Sequence, residues 1–213
     1  MRMGRRFMRS GRRWQLAAAL AIALGCTAGD QYLRVGQARL PEADLARPAG
    51  AGTLVELPAA GAPLTPPAQL RGPVRLAADR DLPFGAVVDA VAAVQRAGGE
   101  PLLLVASRRK VAALPASDPR PAESIRLVAN ADARACVSPP EVEEAKCVRR
   151  ADGKHVERAF VRELVREAVK GYDLTHVHVE VALTLSWADA LRAIDGARTC
   201  CPGVTMTVST EGL

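Results

Sequence analysis

Shifting the sequence by 103 positions lays one stretch of it on another without a gap. Leu82, Phe84, Val88, Ala90, Val91 and Val94 then fall on Leu185, Trp187, Leu191, Ala193, Ile194 and Ala197, and Val105 falls on Val208. A strand precedes each copy at the same offset, Val74 and Leu76 against Val177 and Val179. Any two β-α-β units look alike under apolar patterning, but an ungapped run with an aromatic at the same helix start asks for more than patterning. The expectation is a duplication, hence an α+β chain of two tandem small domains, each a β-α-β unit on a short mixed sheet.

The local signals fill in this frame. Thr53–Leu57 alternates and stops at Pro58, and Pro63, Pro66, Pro67 and Pro73 hold the next stretch as loop. Val74–Ala77 reads as a strand. From Phe84 the spacing of Val87, Val88, Val91 and Val94 predicts a helix ended by Gly98-Gly99, followed by the apolar strand Leu102–Ala106. The second copy opens with a strand over 124–129 and a loop holding Cys136, Pro139, Pro140 and Cys147. A helix over 155–170 follows, with Phe160, Val161, Leu164, Val165 and Ala168 on one face and Gly171 closing it. Val177–Leu183 alternates, with His178, Glu180 and Ala182 outward. Ser186 caps a helix through Trp187, Ala190, Leu191, Ile194 and Ala197, and 204–209 is the last strand. The organisation expected is a leader over 1–26, a spacer over 27–52, a first domain over 53–107, a linker over 108–123 and a second, diverged domain over 124–213.

Before Cys26 the only charged residues are Arg2, Arg5, Arg6, Arg9, Arg12 and Arg13, and an apolar run from Leu16 to Gly25 follows. That is the layout of an export signal. The run is shorter than the roughly 20 apolar residues a spanning helix takes. Ala23-Leu24-Gly25-Cys26 resembles a lipoprotein box, whose cysteine thiol takes a diacylglycerol. The expectation is a membrane-anchored envelope protein lipidated at Cys26. The alternatives are an ordinary cleaved signal or a short uncleaved anchor.

The formal charge of +6 comes from 29 Lys and Arg against 23 Asp and Glu, an excess equal to those six leader arginines. The rest of the chain is neutral and lacks the basic stripe that binding to nucleic acid requires. No Gly-rich phosphate loop, Gly-x-Ser-x-Gly elbow or His-Glu-x-x-His motif occurs. Asp79, Asp81 and Asp89 sit at a strand-to-helix turn, where aspartate serves backbone amides. His155 reads as a helix-start residue. The expectation is a non-enzymatic protein with no cofactor and no metal.

With Cys26 assigned to lipid, Cys136, Cys147, Cys200 and Cys201 remain as disulfide candidates, an even number suited to an oxidising compartment. Cys136 with Cys147 is the most natural pair, and Cys200-Cys201 forms a vicinal bridge or pairs elsewhere. A thiol or metal protein using His176, His178, Cys200 and Cys201 is the sharper alternative, because His176 and His178 share one strand face and their spacing permits it.

The first copy resembles the periplasmic domain of the ExbD/TolR family, small partners of proton-driven motors in bacterial inner membranes. The resemblance rests on Val55-Glu56-Leu57-Pro58-Ala59-Ala60, Leu76-Ala77-Ala78-Asp79, Leu82-Pro83-Phe84, the helix through Val94, Gly98 and the strand from Leu102. It implies a binding or scaffolding role in biopolymer transport or envelope integrity, protein partners in the cell envelope, a tendency to homodimerise and contact with peptidoglycan. The family carries an aspartate within its membrane helix, whereas Trp14–Gly29 here has no acidic residue. An authentic motor subunit with an uncleaved membrane helix is therefore the alternative, and the leading expectation is a tethered component without intramembrane proton chemistry.

Overall fold

A computed structural model of the chain describes residues 33–43, 47–48, 50–59, 70–106, 110–112, 122–140, 142 and 145–209. All of them fall in the compact unit Tyr32–Leu213. The leader and Cys26 lie outside the described residues. Among the described residues no helix is long and apolar enough to cross a membrane.

The fold is α+β, built on two five-stranded mixed sheets. The first comprises β3 (Arg47–Pro48), β4 (Thr53–Leu57), β5 (Gly72–Ala78), β6 (Gly99–Val105) and β7 (Lys110–Ala112), in the order β3-β7-β6-β5-β4. The second comprises β8 (Ile125–Ala129), β9 (Ala135–Ser138), β10 (Lys146–Val148), β11 (His176–Val181) and β12 (Thr205–Val208), in the order β10-β9-β8-β11-β12. Helix α1 (Phe84–Arg96) joins β5 to the parallel strand β6, and α3 (Trp187–Arg198) joins β11 to the parallel strand β12. These are the two β-α-β units expected from the sequence. Helix α2 (Arg158–Tyr172) lies beside α3, and a small hairpin of β1 (Arg34–Val35) and β2 (Ala38–Arg39) precedes the first sheet.

Each helix forms where the apolar spacing demands it. In α1 the buried residues are Phe84, Val87, Ala90 and Val94, and in α2 they are Val161, Leu164, Val165 and Ala168, one stripe each. Phe160 is one helical step off the α2 stripe and stands 47% exposed, so the face expected for it is corrected. Helix α2 runs through Gly171 and ends at Asp173, whose φ of 52° supplies the left-handed cap expected of the glycine. Ser186 caps α3 as expected, its hydroxyl accepting from the Asp189 N–H at 3.2 Å.

Three stretches expected to lack structure contribute elements. The hairpin and β3 lie in the 27–52 spacer, and β7 lies in the 108–123 linker. The stretch around Cys136 and Cys147 is an antiparallel pair, β9 with β10. The hairpin turns through Gly36, whose φ of 57° is the positive value a two-residue turn needs. It covers the outer face of the first sheet, where Ala38 and Leu40 pack on Ala77, Leu102 and Leu104 as a small second core.

The main core is continuous through both halves and holds Val74, Leu76, Phe84 and Val94 together with Val177, Val179, Trp187 and Ile194. What joins the halves is a reciprocal set of hydrogen bonds between the starts of α1 and α3. Phe84 N–H donates to Leu185 O at 2.7 Å, and Trp187 N–H donates to Leu82 O at 2.6 Å. Gly85 N–H donates to Leu183 O and Ala188 N–H to Arg80 O, both at 2.9 Å. Every partner is related to its counterpart by the 103-residue shift, and Pro83 and Ser186, related by the same shift, face each other in an antiparallel bridge. This is the pattern of a self-complementary, two-fold contact, here made within one chain. It also satisfies donors in the first turns of both helices that have no partner inside their own helix.

The strands after the helices depart from the 103-residue shift by two positions. Leu76 pairs with Leu103 in the first sheet, and Val179 pairs with Val208 in the second. Leu103, not Val105, is thus the counterpart of Val208. The slip is even, so the buried face is kept. It arises in the loop after α3, where Cys200, Cys201 and Pro202 stand between the helix cap Thr199 and Gly203. In the first half Ala97 caps α1 and Gly98 follows at once, and both glycines have φ +84°.

Candidate functional site

The two sheets differ on their outer faces. The hairpin closes the first, whereas the second presents a polar row from β8, β11 and β12. Parallel register sets His176 beside Thr205 and His178 beside Thr207, and it sets Arg126 beside His178. Alternation sends Val177, Val179 and Val181 to the core and these polar residues to the other side. His178 was expected outward; it lies on that face but is only 1% exposed.

The bond directions on this face follow from the inventory of donors. Thr205 Oγ1 donates to Thr175 O at 3.2 Å, so it accepts from His176 Nδ1 at 2.7 Å. The same ring meets Thr207 Oγ1 through Nε2 at 3.0 Å, and Thr207 Oγ1 lies 2.8 Å from His178 Nδ1. The result is a chain of hydrogen bonds linking buried His178, Thr207, His176, Thr205 and the Thr175 carbonyl. Beside it, Arg126 grips Glu180 with Nε to Oε1 at 2.8 Å and Nη2 to Oε2 at 2.6 Å, and this bond raises the guanidinium pKa. This is a polar surface of imidazole, hydroxyl and Arg–Glu groups. A shallow solvent-open depression lies elsewhere, between Arg149, Arg150, the α2 cap Glu157 and Phe160.

The other residues singled out in the sequence are structural in their contacts. Asp79 is 1% exposed and accepts from Arg39 N at 2.9 Å, Arg39 Nε at 3.1 Å, Arg39 Nη2 at 3.1 Å and Asp81 N at 3.0 Å. Burial pushes its pKa up, but these donors outweigh burial and hold it below the usual carboxylate range. Asp81 pairs with the same arginine at 2.5 Å. His155 lies just before α2 and meets Asp189 at 3.2 Å.

Cys136 and Cys147 are directly opposite in the β9–β10 register and form a disulfide. Cys200 and Cys201 are free thiols, the first buried and the second half-buried. His176 and His178 share a face as the spacing required, yet their ring nitrogens bond to threonines. Among the described residues no group of three His, Cys, Asp or Glu is placed to hold a metal ion.

Two buried carboxylates escaped the sequence reading. Asp189, 3% exposed, receives Val156 N at 3.0 Å, Ser186 Oγ at 2.7 Å and Arg192 Nη1 at 2.6 Å, tying the entry of α2 to α3. Asp195 accepts from Arg158 Nη1 at 3.2 Å across the α2–α3 contact. The first had a signal, since Ser186-x-x-Asp189 is a helix-start pattern. No family model, curated protein or solved structure matches the chain.

Proposed function

We propose that the chain is an exported, membrane-tethered protein of the cell envelope that acts by binding. On this reading it is a scaffolding component of a biopolymer-transport or envelope-integrity assembly, and a diverged, internally duplicated relative of the ExbD/TolR periplasmic domains. The observation that carries the proposal is the reciprocal junction of Leu82–Gly85 with Leu183–Ala188. Two β-α-β units paired about a local two-fold axis are what fusion of a homodimer produces, and the resemblance implies a dimerising domain. The Cys136–Cys147 disulfide supports an oxidising compartment. The neutral body with its polar sheet face suits contact with protein or glycan surfaces.

The test is mass spectrometry of the full-length protein extracted from membranes, together with cross-linking in intact envelopes. A diacylglycerol-modified N-terminus at Cys26 and adducts to envelope proteins or peptidoglycan are expected. Recovery from the cytoplasm, or only as an unlinked monomer, contradicts the proposal. A membrane-bound chain that still begins at Met1 turns the reading toward the uncleaved anchor.

A further inference from the structure

Cys200 and Cys201 occupy the segment by which the second β-α-β unit exceeds the first. Thr199 caps α3 on one side, its hydroxyl donating to Asp195 O at 2.7 Å. On the other side Val204 N–H donates to Cys201 O at 3.5 Å, closing a turn with Pro202 and then Gly203 at its centre. Proline followed by a residue of positive φ is the signature of a type II turn. The two cysteines are therefore adjacent in sequence and pinned at both ends. The Cys201 side chain and the Arg166 guanidinium are both close enough to influence the Cys200 thiol electrostatically. The other described cysteine pair is oxidised, and this one is not.

We infer that Cys200 and Cys201 form a reversible dithiol–disulfide site that exchanges with an external disulfide. In the first step the half-buried Cys201, as thiolate, attacks one sulfur of the external disulfide. A Cys201 mixed disulfide forms, the external S–S bond breaks and one thiolate leaves. In the second step Cys200 gives its proton to the departed thiolate and attacks the Cys201 sulfur. The vicinal disulfide closes and a second thiolate leaves, taking up the proton lost by Cys201. Two protein thiols are oxidised by two electrons, and one external disulfide is reduced to two thiols.

The order follows from the setting. Cys200 is 6% exposed, and its pKa is pushed up to about 12, first by burial and then by the Cys201 sulfur. It is a poor first nucleophile. Capping Cys201 removes the second of those contributions at the moment Cys200 is needed.

Trypsin cuts after Arg198 and at no position between Thr199 and Leu213, so both cysteines fall in one peptide, separate from Cys136 and Cys147. The full-length protein, reduced under native conditions, is treated with excess oxidised glutathione, alkylated and digested. The expected peptide is two hydrogens lighter, carries neither glutathione nor alkyl group, and regains two alkylatable thiols on reduction. Cys200→Ser is expected to retain one glutathione on Cys201, and Cys201→Ser to leave Cys200 unmodified until the fold is denatured. A wild-type peptide that stays glutathionylated, is alkylated twice or is linked to a second chain overturns the inference.

Discussion

Phe84 and Trp187 stack at the junction of the two halves with ring centroids 6.2 Å apart and planes 15° from parallel. They occupy the same position in their β-α-β units, the first residue of each helix, and both are fully buried. The pair fills the space beside the axis at Pro83 and Ser186, so a residue that looks like one more core aromatic is also part of an interface. The rings differ in one respect: the Trp187 indole N–H is buried with no acceptor among the described residues.

Replacing Trp187 with Phe makes the pair chemically alike and removes that orphan donor. The relief of an unsatisfied group offsets much of the lost contact area, so the expected cost is below about 1.5 kcal/mol. Trp187→Ala opens a cavity between the halves and is expected to cost about 3–5 kcal/mol. Urea unfolding followed by far-UV circular dichroism measures both.

Gly196 and Gly171 lie in neighbouring helices and answer the same substitution with opposite signs. A Cβ on Gly196 would stand 2.8 Å from Val161 Cβ and 3.0 Å from Arg158 O, so α2 and α3 must separate. Gly196→Ala is expected to destabilise by about 1–3 kcal/mol despite alanine's better helix propensity. Nothing lies within 4 Å of a Cβ on Gly171, and Gly171→Ala is expected to stabilise by about 0.5–1 kcal/mol. Thermal unfolding of the two variants shows the sign.

The Arg39–Asp79 pair fastens the hairpin to the first sheet and gives stability a pH dependence. Asp79 has a folded pKa below its ordinary value, so its contribution is present at neutral pH, above the unfolded pKa. It is lost as pH falls through the folded value. Asp79→Asn is expected to cost about 2 kcal/mol at neutral pH, with the difference from wild type shrinking on acidification below the usual carboxylate range. Denaturant titrations at a series of pH values test this, and hydrogen exchange over 33–43 is expected to quicken in the variant.

The Cys136–Cys147 disulfide closes a loop with a sequence separation of 11. Cys136→Ser with Cys147→Ser is expected to lose about 2–3 kcal/mol, chiefly by freeing the unfolded chain. The β11–β12 pair keeps its amide protection, because its pairing does not pass through β9 or β10.

Much of this architecture is legible in the sequence where long apolar stripes speak, and little of it where contacts are made by backbone. The spacing of Val87, Ala90 and Val94 and the alternation of Val177, Val179 and Val181 locate the two units, and Ser186 marks the start of α3. The hairpin at Arg34–Arg39 carries a Gly36-Gln37 turn signal, but strands of two residues are too short for periodicity to register. Strand β9 ends before Pro139-Pro140, which made its four residues read as loop. Ungapped matching could not show that the loop holding Cys200 and Cys201 is three residues longer and α3 one residue shorter, because the net slip of two leaves every apolar face in place. The reciprocal hydrogen bonds of the junction belong to main-chain groups and leave no trace in residue type. The hydroxyl–imidazole chain was half visible: the two histidines announced a shared face, while Thr205 and Thr207 became their partners only through the register of β11 with β12.

The two β-α-β units pair with each other inside one molecule about an axis at Pro83 and Ser186. In an antiparallel bridge flanked by hydrogen bonds the opposed Cα atoms approach to about 4.5 Å, within the range a disulfide spans. The most direct measurement is peptide mapping of the full-length Pro83→Cys, Ser186→Cys variant after mild oxidation, with its size under non-reducing conditions. A bridge between positions 83 and 186 within a monomeric chain is expected. Two free thiols at those positions, or a bridge joining two chains, would contradict it.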